Sequence, residues 1–523
     1  MAKRFNITGV CVPAQHYMAD ISRKFDRIMD MVEAGDYFII NRPRQYGKTT
    51  MLFRLYDRLR ESSEYLVFNI SFEGLGDTVF EQESSFCKTF FSLLMREMEA
   101  TGHETQASFL REAIARVATL DDLSQAISHF AQANTPKLVV LIDEVDKSSN
   151  NQLFVSFLGM LRNKYLRRHL PADETFHAVV LAGVHDIKSL KLKLRPDDEQ
   201  KYNSPWNIAA DFKVDMNLYP EEIKPMLDEY AADRGVSMNT QAIAEHLFYY
   251  TSGYPFLVSK LCKMFDEEML PDKNTREWTI EDVNTAASRL VTETNVNFDS
   301  LIKNLENNEN LYQLTYRIVV EAEQIPFVAS DPTISLGAQY GIFKNGNGLS
   351  VHNKLYAEYI AAYMTSKLLT GGKSRDLLQY SGAYRAPDGS LDMEKLLSRF
   401  QAFMKEEYSK QDRDFLERQG RLLFLAFLKP ILNGHGYSFK EPQISEERRL
   451  DVAITFYQHR YVAELKVWRG EAAHERGLAQ LAAYLNQMNL KHGYLVIFDH
   501  GAVKSWRQEQ VEVDGKSIFA VWV

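Results

Sequence analysis

A chain of 523 residues exceeds what one hydrophobic core holds, and at about 150 residues per domain it divides into three or four folded units. Its 45% hydrophobic and 25% charged residues exclude a disordered or low-complexity chain. A formal charge of -9, from 61 Lys and Arg against 70 Asp and Glu, excludes a protein that coats nucleic acid by bulk charge, while leaving room for a local basic groove.

The start, Met1-Ala-Lys-Arg-Phe-Asn6, lacks the apolar stretch of a signal peptide, and no later segment approaches the roughly 18 apolar residues of a membrane span. Cys11, Cys87 and Cys262 are far apart and without CxxC spacing, which points away from a disulfide framework or a structural zinc site. The expectation is a soluble cytoplasmic protein with no membrane partner.

In chain order, Tyr37-Phe-Ile-Ile40 reads as a strand that runs through a loop into a helix bearing Met51, Leu52 and Leu55. Further strands are expected at Tyr65–Ile70, Leu138–Ile142 and Ala178–Leu181, separated by helical periodicity, which implies a mostly parallel sheet. The stretch Asn41-Arg-Pro-Arg-Gln-Tyr-Gly-Lys-Thr-Thr50 sets Gly47-Lys48-Thr49 where loop meets helix, so that backbone N–H groups and the helix terminus face one anion. Phosphate suits that geometry: Lys48 would reach β- and γ-phosphates and Thr49 would ligate magnesium. Arg44, Gln45, Tyr46 and Thr50 complete the expected ATP-binding set. Arg42 stands where the usual GxxxxGK[ST] spacing has its first glycine. The partner motif is the apolar strand ending in Asp143-Glu144, where Asp143 would hold magnesium and Glu144 would activate water. The plainer alternative makes Gly-Lys-Thr a helix cap and Asp143 a strand end. Arg44, Arg162 and Arg195 are secondary candidates for stabilising transferred phosphate, against ordinary salt bridging.

From about Tyr219 the pattern turns helical, with Ser252-Gly-Tyr-Pro255 breaking the chain before the apolar helix Phe256–Met264. Between Leu311 and Leu368 short helices accompany a hairpin signal with two Asn-Gly pairs, 342–351, the pattern of a winged helix. The glycines of Thr370-Gly-Gly-Lys-Ser-Arg375 mark a linker. Helices to about Leu432 then precede strands at Arg449–Phe456, Arg460–Val467 and Tyr494–Phe498.

The segment Thr8–Asp20 together with Asn41–Thr50 resembles the bacterial AAA-like ATPase family, over roughly residues 1–370, and that family is similar to the STAND-type ATPases. The resemblance implies a nucleotide-proximal Gly-x-Pro motif, matched by Gly253-Tyr254-Pro255, and hence Pro255 at the nucleotide. It also implies self-association, with no interface legible in the sequence. By the same analogy His16, Tyr17 and Asp20 line the adenine pocket; packing of the aromatic against the first helix is the alternative.

In the last region the two strands around 449–456 and 460–467 read as a hairpin turning near 458–460. Residues two apart share a face, so Glu464 and Lys466 point together, with Asp451 opposite or diagonal to Lys466. Two carboxylates about 4 Å apart repel by roughly 4 kcal/mol at an effective dielectric of 20, so the pair calls for a cation, and oxygen ligands select magnesium. This constellation resembles the PD-(D/E)XK nuclease superfamily. The resemblance implies Asp451, Glu464 and the Leu465 carbonyl on magnesium, Lys466 orienting water, Glu417 as a helical glutamate and Gln480 as a polar position on the following helix. Glu222-Ile-Lys224, Asp186-Ile-Lys188 and Asp514-Gly-Lys516 fit the same tripeptide but not its strand context. The alternative makes Glu464 and Lys466 a solvated salt bridge on an edge strand.

The fold class expected is therefore multidomain α/β. A P-loop NTPase core with a parallel sheet (1–215) is followed by a helical lid (216–300), a winged helix (301–372) and a restriction-endonuclease-like domain (380–523). The expected cofactors are ATP and Mg2+, the expected partner of the last domain is nucleic acid, DNA foremost, and the expected activity is an ATPase whose nucleotide state controls a nuclease, in defence or mobile-element control. The rival is a nucleotide-switched DNA-binding regulator that does not cut. A third reading is a scaffold with two degenerate sites.

Overall fold

A computed structural model describes residues 3–145, 152–184, 210–293, 295–319, 323, 325–346, 348–368, 384, 386, 388–407, 424–425, 427–428, 432, 436–439, 452–456, 459–468, 470–499 and 505–523. The chain separates into two compact units, Met1–Ala286 with Val328–Lys344, and Ala287–Phe327 with Asn345–Val523. The division falls at 286, and residues 328–344 go to the first unit.

In the first unit four strands, β1 (Tyr37–Asn41), β2 (Tyr65–Ser71), β3 (Lys137–Asp143) and β4 (Ala178–Gly183), form a wholly parallel sheet in the order β1-β4-β3-β2. All four lie where the apolar runs place them. Such runs form strands rather than helices because they are short and β-branched, and every residue of β4 is buried, as expected for a sheet covered on both faces. Ala210 extends the sheet beyond β1 by a parallel bridge to Phe38. Helices α1 (Ser22–Glu33), α2 (Lys48–Arg60), α3 (Glu83–Ala100), α4 (Glu104–Ile114), α5 (Leu120–Gln132) and α6 (Gln152–Arg167) surround it. A phenylalanine-rich core, including Phe68, Phe86, Phe90, Phe154 and Phe157, fills one side. Each such buried ring contributes about 1.5–3 kcal/mol.

Helices α7 (Pro220–Arg234), α8 (Thr240–Thr251) and α9 (Pro255–Met264) follow, then α10 (Ile280–Thr292). In the second unit α11 (Val296–Glu306), α12 (Glu309–Val319) and α14 (Lys354–Leu368) pack together; α13 (Pro332–Gln339) belongs to the first unit. The expected hairpin is present as β5 (Phe343–Gly346) and β6 (Gly348–Val351).

The second unit ends in a six-stranded sheet ordered β11-β12-β10-β9-β8-β7, built from β7 (Gly436–Phe439), β8 (Val452–Phe456), β9 (His459–Val467), β10 (His492–Phe498), β11 (Gln508–Val513) and β12 (Lys516–Trp522). Strand β8 is antiparallel to both of its neighbours, β7 and β9, and β10 runs parallel to β9 after helix α16 (Glu471–Gln487). Helix α15 (Met393–Glu407) lies on the opposite face. Alternate residues divide the strands between two cores: Ile454, Ala463 and Val496 pack with Leu397 and Phe400, while Val462, Leu495 and Ile497 pack with Leu481 and Leu485. The pair Phe456 and His459 closes the β8–β9 hairpin earlier than the expected turn at 458–460. Among the described residues no helix is long and apolar enough to cross a membrane.

Candidate functional site

Parallel strands bring their carboxyl ends to one edge of the sheet, so the loop after β1 and Asp143 at the end of β3 share that edge, with β4 between them. Arg42 N–H continues the ladder by donating to the Gly183 carbonyl, 3.1 Å. The loop then turns through two left-handed residues, Gln45 (φ 59°) and Gly47 (φ 77°), before α2 begins at Lys48. Alternation of this kind curls backbone N–H groups toward a common point, an anion nest at a helix N-terminus. A Cβ built on Gly47 meets nothing within 4 Å, so backbone conformation, not crowding, calls for glycine, and the space beside it is open.

Lys48 is buried, and its ammonium donates to the carbonyl oxygens of Arg42 and Pro43, 2.9 Å each. The two threonines diverge. Thr49 is exposed, whereas Thr50 is buried and its hydroxyl accepts the Cys11 N–H at 3.1 Å, tying the amino-terminal segment to α2. Asp143 is 6% exposed, and its Oδ1 accepts the Glu144 N–H at 2.9 Å. Glu144 has φ 55°, which carries the chain out of the strand directly after the carboxylate. Thr49 and Asp143 offer hard oxygen donors, a chemistry that suits magnesium.

Around the loop lies a collar that sequence reasoning only partly found. Arg42, at the position of the missing glycine, donates to the carbonyls of Asn41 (2.8 Å) and Val214 and lies 5.0 Å from the Phe212 ring. Burial lowers its pKa from the usual arginine value. Tyr46 is buried, its hydroxyl donating to Asn217, and its ring meets Tyr254 edge-on at 4.4 Å. The Tyr254 hydroxyl in turn donates to the Arg44 carbonyl at 2.6 Å. Gly253 (φ 76°) lets that tyrosine approach: a Cβ there would stand 2.3 Å from the Leu218 carbonyl oxygen, and Leu218 N–H donates to the Gly253 carbonyl at 2.7 Å. Pro255 opens α9, where a missing N–H costs nothing. Gly341, after α13, packs on Pro43, with a would-be Cβ 2.8 Å from its ring.

Tyr17 lies in an aromatic cluster with Phe5 and Tyr230 at 4.9 and 5.3 Å, and its hydroxyl donates to Asp233 at 2.6 Å, so its partners are on the amino-terminal segment and α7. His16 accepts the Val12 N–H on Nδ1, and Asp20 accepts from Ser22 at the start of α1. Arg44 and Gln45 are exposed; Arg162 lies on α6; Arg195 lies outside the described residues.

In the second unit Glu464 is 3% exposed in β9, which is flanked by β8 and β10 and is not an edge strand. Lys466, two residues on, brings its ammonium 2.9 Å from Glu464 Oε1 and donates to Gln480 Oε1 at 3.1 Å. Glu464, Lys466 and Gln480 are thus together on the α16 face. Asp451 and Glu417 lie outside the described residues, and among those described no group of three or more His, Cys, Asp or Glu side chains converges as a metal set. Of the competing tripeptides, Glu222–Lys224 is helical in α7 and Asp514–Lys516 holds the β11–β12 turn; Asp186–Lys188 lies outside the described residues.

A family model described as the AAA-like domain matches residues 12–362, more than half of the chain. Similar solved structures include the Walker-type ATPase paby2304 of Pyrococcus abyssi, at 10% identity and TM-score 0.45, covering 68% of this chain and 99% of that one. The Aeropyrum pernix ORC2 protein in ADPNP-ADP complexes is similar at 14% identity and TM-score 0.35, covering 69% and 96%. A Thermotoga maritima RuvB variant is similar at 16% and 0.34, covering 65% and 94%. No curated protein matches the chain.

Proposed function

We propose that this chain, which belongs to the AAA-like domain family, binds and hydrolyses ATP at the loop between β1 and α2, and that its nucleotide state controls a magnesium-dependent nuclease in its carboxy-terminal domain. The observation that supports the ATP half is the sharing of one sheet edge by a left-handed, glycine-containing loop with Lys48 and a buried Asp143. On this reading Lys48 leaves the Arg42 and Pro43 carbonyls for the β- and γ-phosphates, and the loop N–H groups from Arg44 to Thr49 hold phosphate oxygens. Thr49 and Asp143 hold magnesium, which neutralises charge on the phosphate oxygens. Glu144 orients water and accepts its proton. Thr50 contributes to the site by anchoring Cys11.

Residues 1–215 form the ATPase core in this proposal and 216–300 the lid, whose Tyr254 bond to the Arg44 carbonyl couples lid to loop. Residues 301–372 make the winged helix, supported by helices followed by a hairpin. Residues 380–523 make the nuclease-like domain, supported by the order helix, three antiparallel strands, helix, parallel strand, and by the contact of Glu464, Lys466 and Gln480. Asp451, Glu464 and the Leu465 carbonyl hold magnesium there, Lys466 orients the attacking water, and Glu417 adds a carboxylate. A cytoplasmic homo-oligomer acting on DNA in defence or mobile-element control completes the reading. The rival DNA-binding regulator loses support because the helix before the hairpin, Pro332–Gln339, contains no Lys or Arg to meet phosphate.

The test is incubation of the purified chain with supercoiled DNA, single-stranded DNA and RNA, with and without magnesium and ATP, beside Lys466→Ala. Magnesium-dependent cutting by the wild type, reduced by about a hundredfold or more in the variant, is expected. No cutting under any condition while ATP still binds, or equal cutting by the variant, contradicts the nuclease half.

A further inference from the structure

Gly477 stands in the seventh position of the 17-residue helix α16, buried, with ordinary helical backbone. Nothing in its conformation asks for glycine, and a glycine inside a helix is less favourable than alanine. The three atoms nearest to its missing side chain belong to Lys466: a Cβ would lie 3.2 Å from Cδ, 3.3 Å from Nζ and 3.4 Å from Cε. The same ammonium is held on two other sides, by Glu464 at 2.9 Å and by Gln480 at 3.1 Å, one helical turn beyond Gly477.

We propose that Gly477 is a positioning residue: its bare Cα forms the seat across which the Lys466 side chain lies, so that the ammonium reaches Glu464 and Gln480 together. The role given to that ammonium rests on the nuclease reading; the seat itself does not. A methyl group at 477 demands a shift of a few tenths of an ångström from a side chain already fixed at its tip by two polar partners. The lysine therefore yields, and one of the two contacts lengthens. Helix preference runs the other way, so Gly477→Ala separates positioning from stability.

The experiment compares wild type, Gly477→Ala and Gly477→Met as full chains. The rate of acetylation of Lys466 by an N-hydroxysuccinimide ester is read by peptide mass spectrometry against the exposed Lys491, together with melting temperature and magnesium-dependent DNA cleavage. Acetylation of Lys466 is expected to rise severalfold in Gly477→Ala, and further in Gly477→Met, while the alanine variant melts no lower than wild type. Cleavage should fall about tenfold in kcat with KM unchanged, the scale of a sub-ångström misplacement. An unchanged Lys466 labelling rate in a folded alanine variant, or a lower melting temperature without a labelling change, overturns the seat. Faster labelling in a chain whose wild type cuts nothing upholds the seat and removes the nuclease reading.

Discussion

Lys48→Ala should raise the dissociation constant for ATP by about a hundredfold, because hydrogen bonds from an ammonium to phosphate oxygens are each worth roughly 1.5–3 kcal/mol and 1.4 kcal/mol is tenfold in affinity. The side chain is positioned for this. It is buried at the start of α2, and its ammonium donates to main-chain carbonyls of its own loop, 2.9 Å away, which a phosphate can replace. Those carbonyls, of Arg42 and Pro43, lose their donor in the variant, so a small loss of stability without nucleotide is also expected. Titration calorimetry gives the affinity directly. A dissociation constant within twofold of wild type in a folded variant would remove Lys48 from the phosphate site.

The second large effect is on the segment that meets the loop. Gly253→Ala places a methyl group 2.3 Å from the Leu218 carbonyl oxygen at a residue whose φ is +76°, so the turn between α8 and α9 must move. Left-handed backbone costs alanine about 1–2 kcal/mol, and the collision with main chain brings the expected loss to about 3 kcal/mol. For a unit of this size that lowers the melting transition by roughly 5–10 °C in scanning calorimetry. The neighbouring Tyr254 holds the Arg44 carbonyl and packs on Tyr46, so ATP affinity should fall with stability. Retained stability with retained affinity would show that the turn does not support the loop.

How much of this was legible depended on the range of the interaction. The four strands of the first sheet were readable because each is an apolar run bounded by polar residues, and an inner strand buried on both faces has to be one. Strand β11 was not: Gln508-Glu-Gln-Val-Glu-Val513 is polar at four of its six positions and forms because it is an edge strand paired to β12 across the turn at Asp514 and Gly515. That Asp-Gly pair is a hairpin signal, visible in the sequence but considered there only as a match to a catalytic tripeptide.

The candidate sites divide in the same way. Lys48, Thr49 and Asp143 announce themselves by local motif, and Glu464 with Lys466 by strand alternation. Contacts made across the fold carried no local signal. Arg42 to Val214, Tyr254 to Arg44 and Gly341 against Pro43 each join residues more than 150 positions apart, and Thr50 could not be told from Thr49 without the Cys11 N–H that engages it. Tyr17 carried a signal that admitted two readings, and its hydroxyl bond to Asp233 on α7 is a contact that neither reading named. Gly477 gave no sign in the sequence, because the reason for a glycine in α16 lies in a lysine on β9.

The claim at the centre is that Asp143 and Glu144 complete an ATP-hydrolysing site. Steady-state ATP turnover of the full chain with magnesium, measured beside Glu144→Gln, tests it most directly. Magnesium-dependent turnover that falls by about a hundredfold or more in the variant, with ATP affinity unchanged, is the predicted result; a folded Glu144→Gln chain that turns over ATP as fast as wild type, or a wild type that binds no ATP, would contradict it.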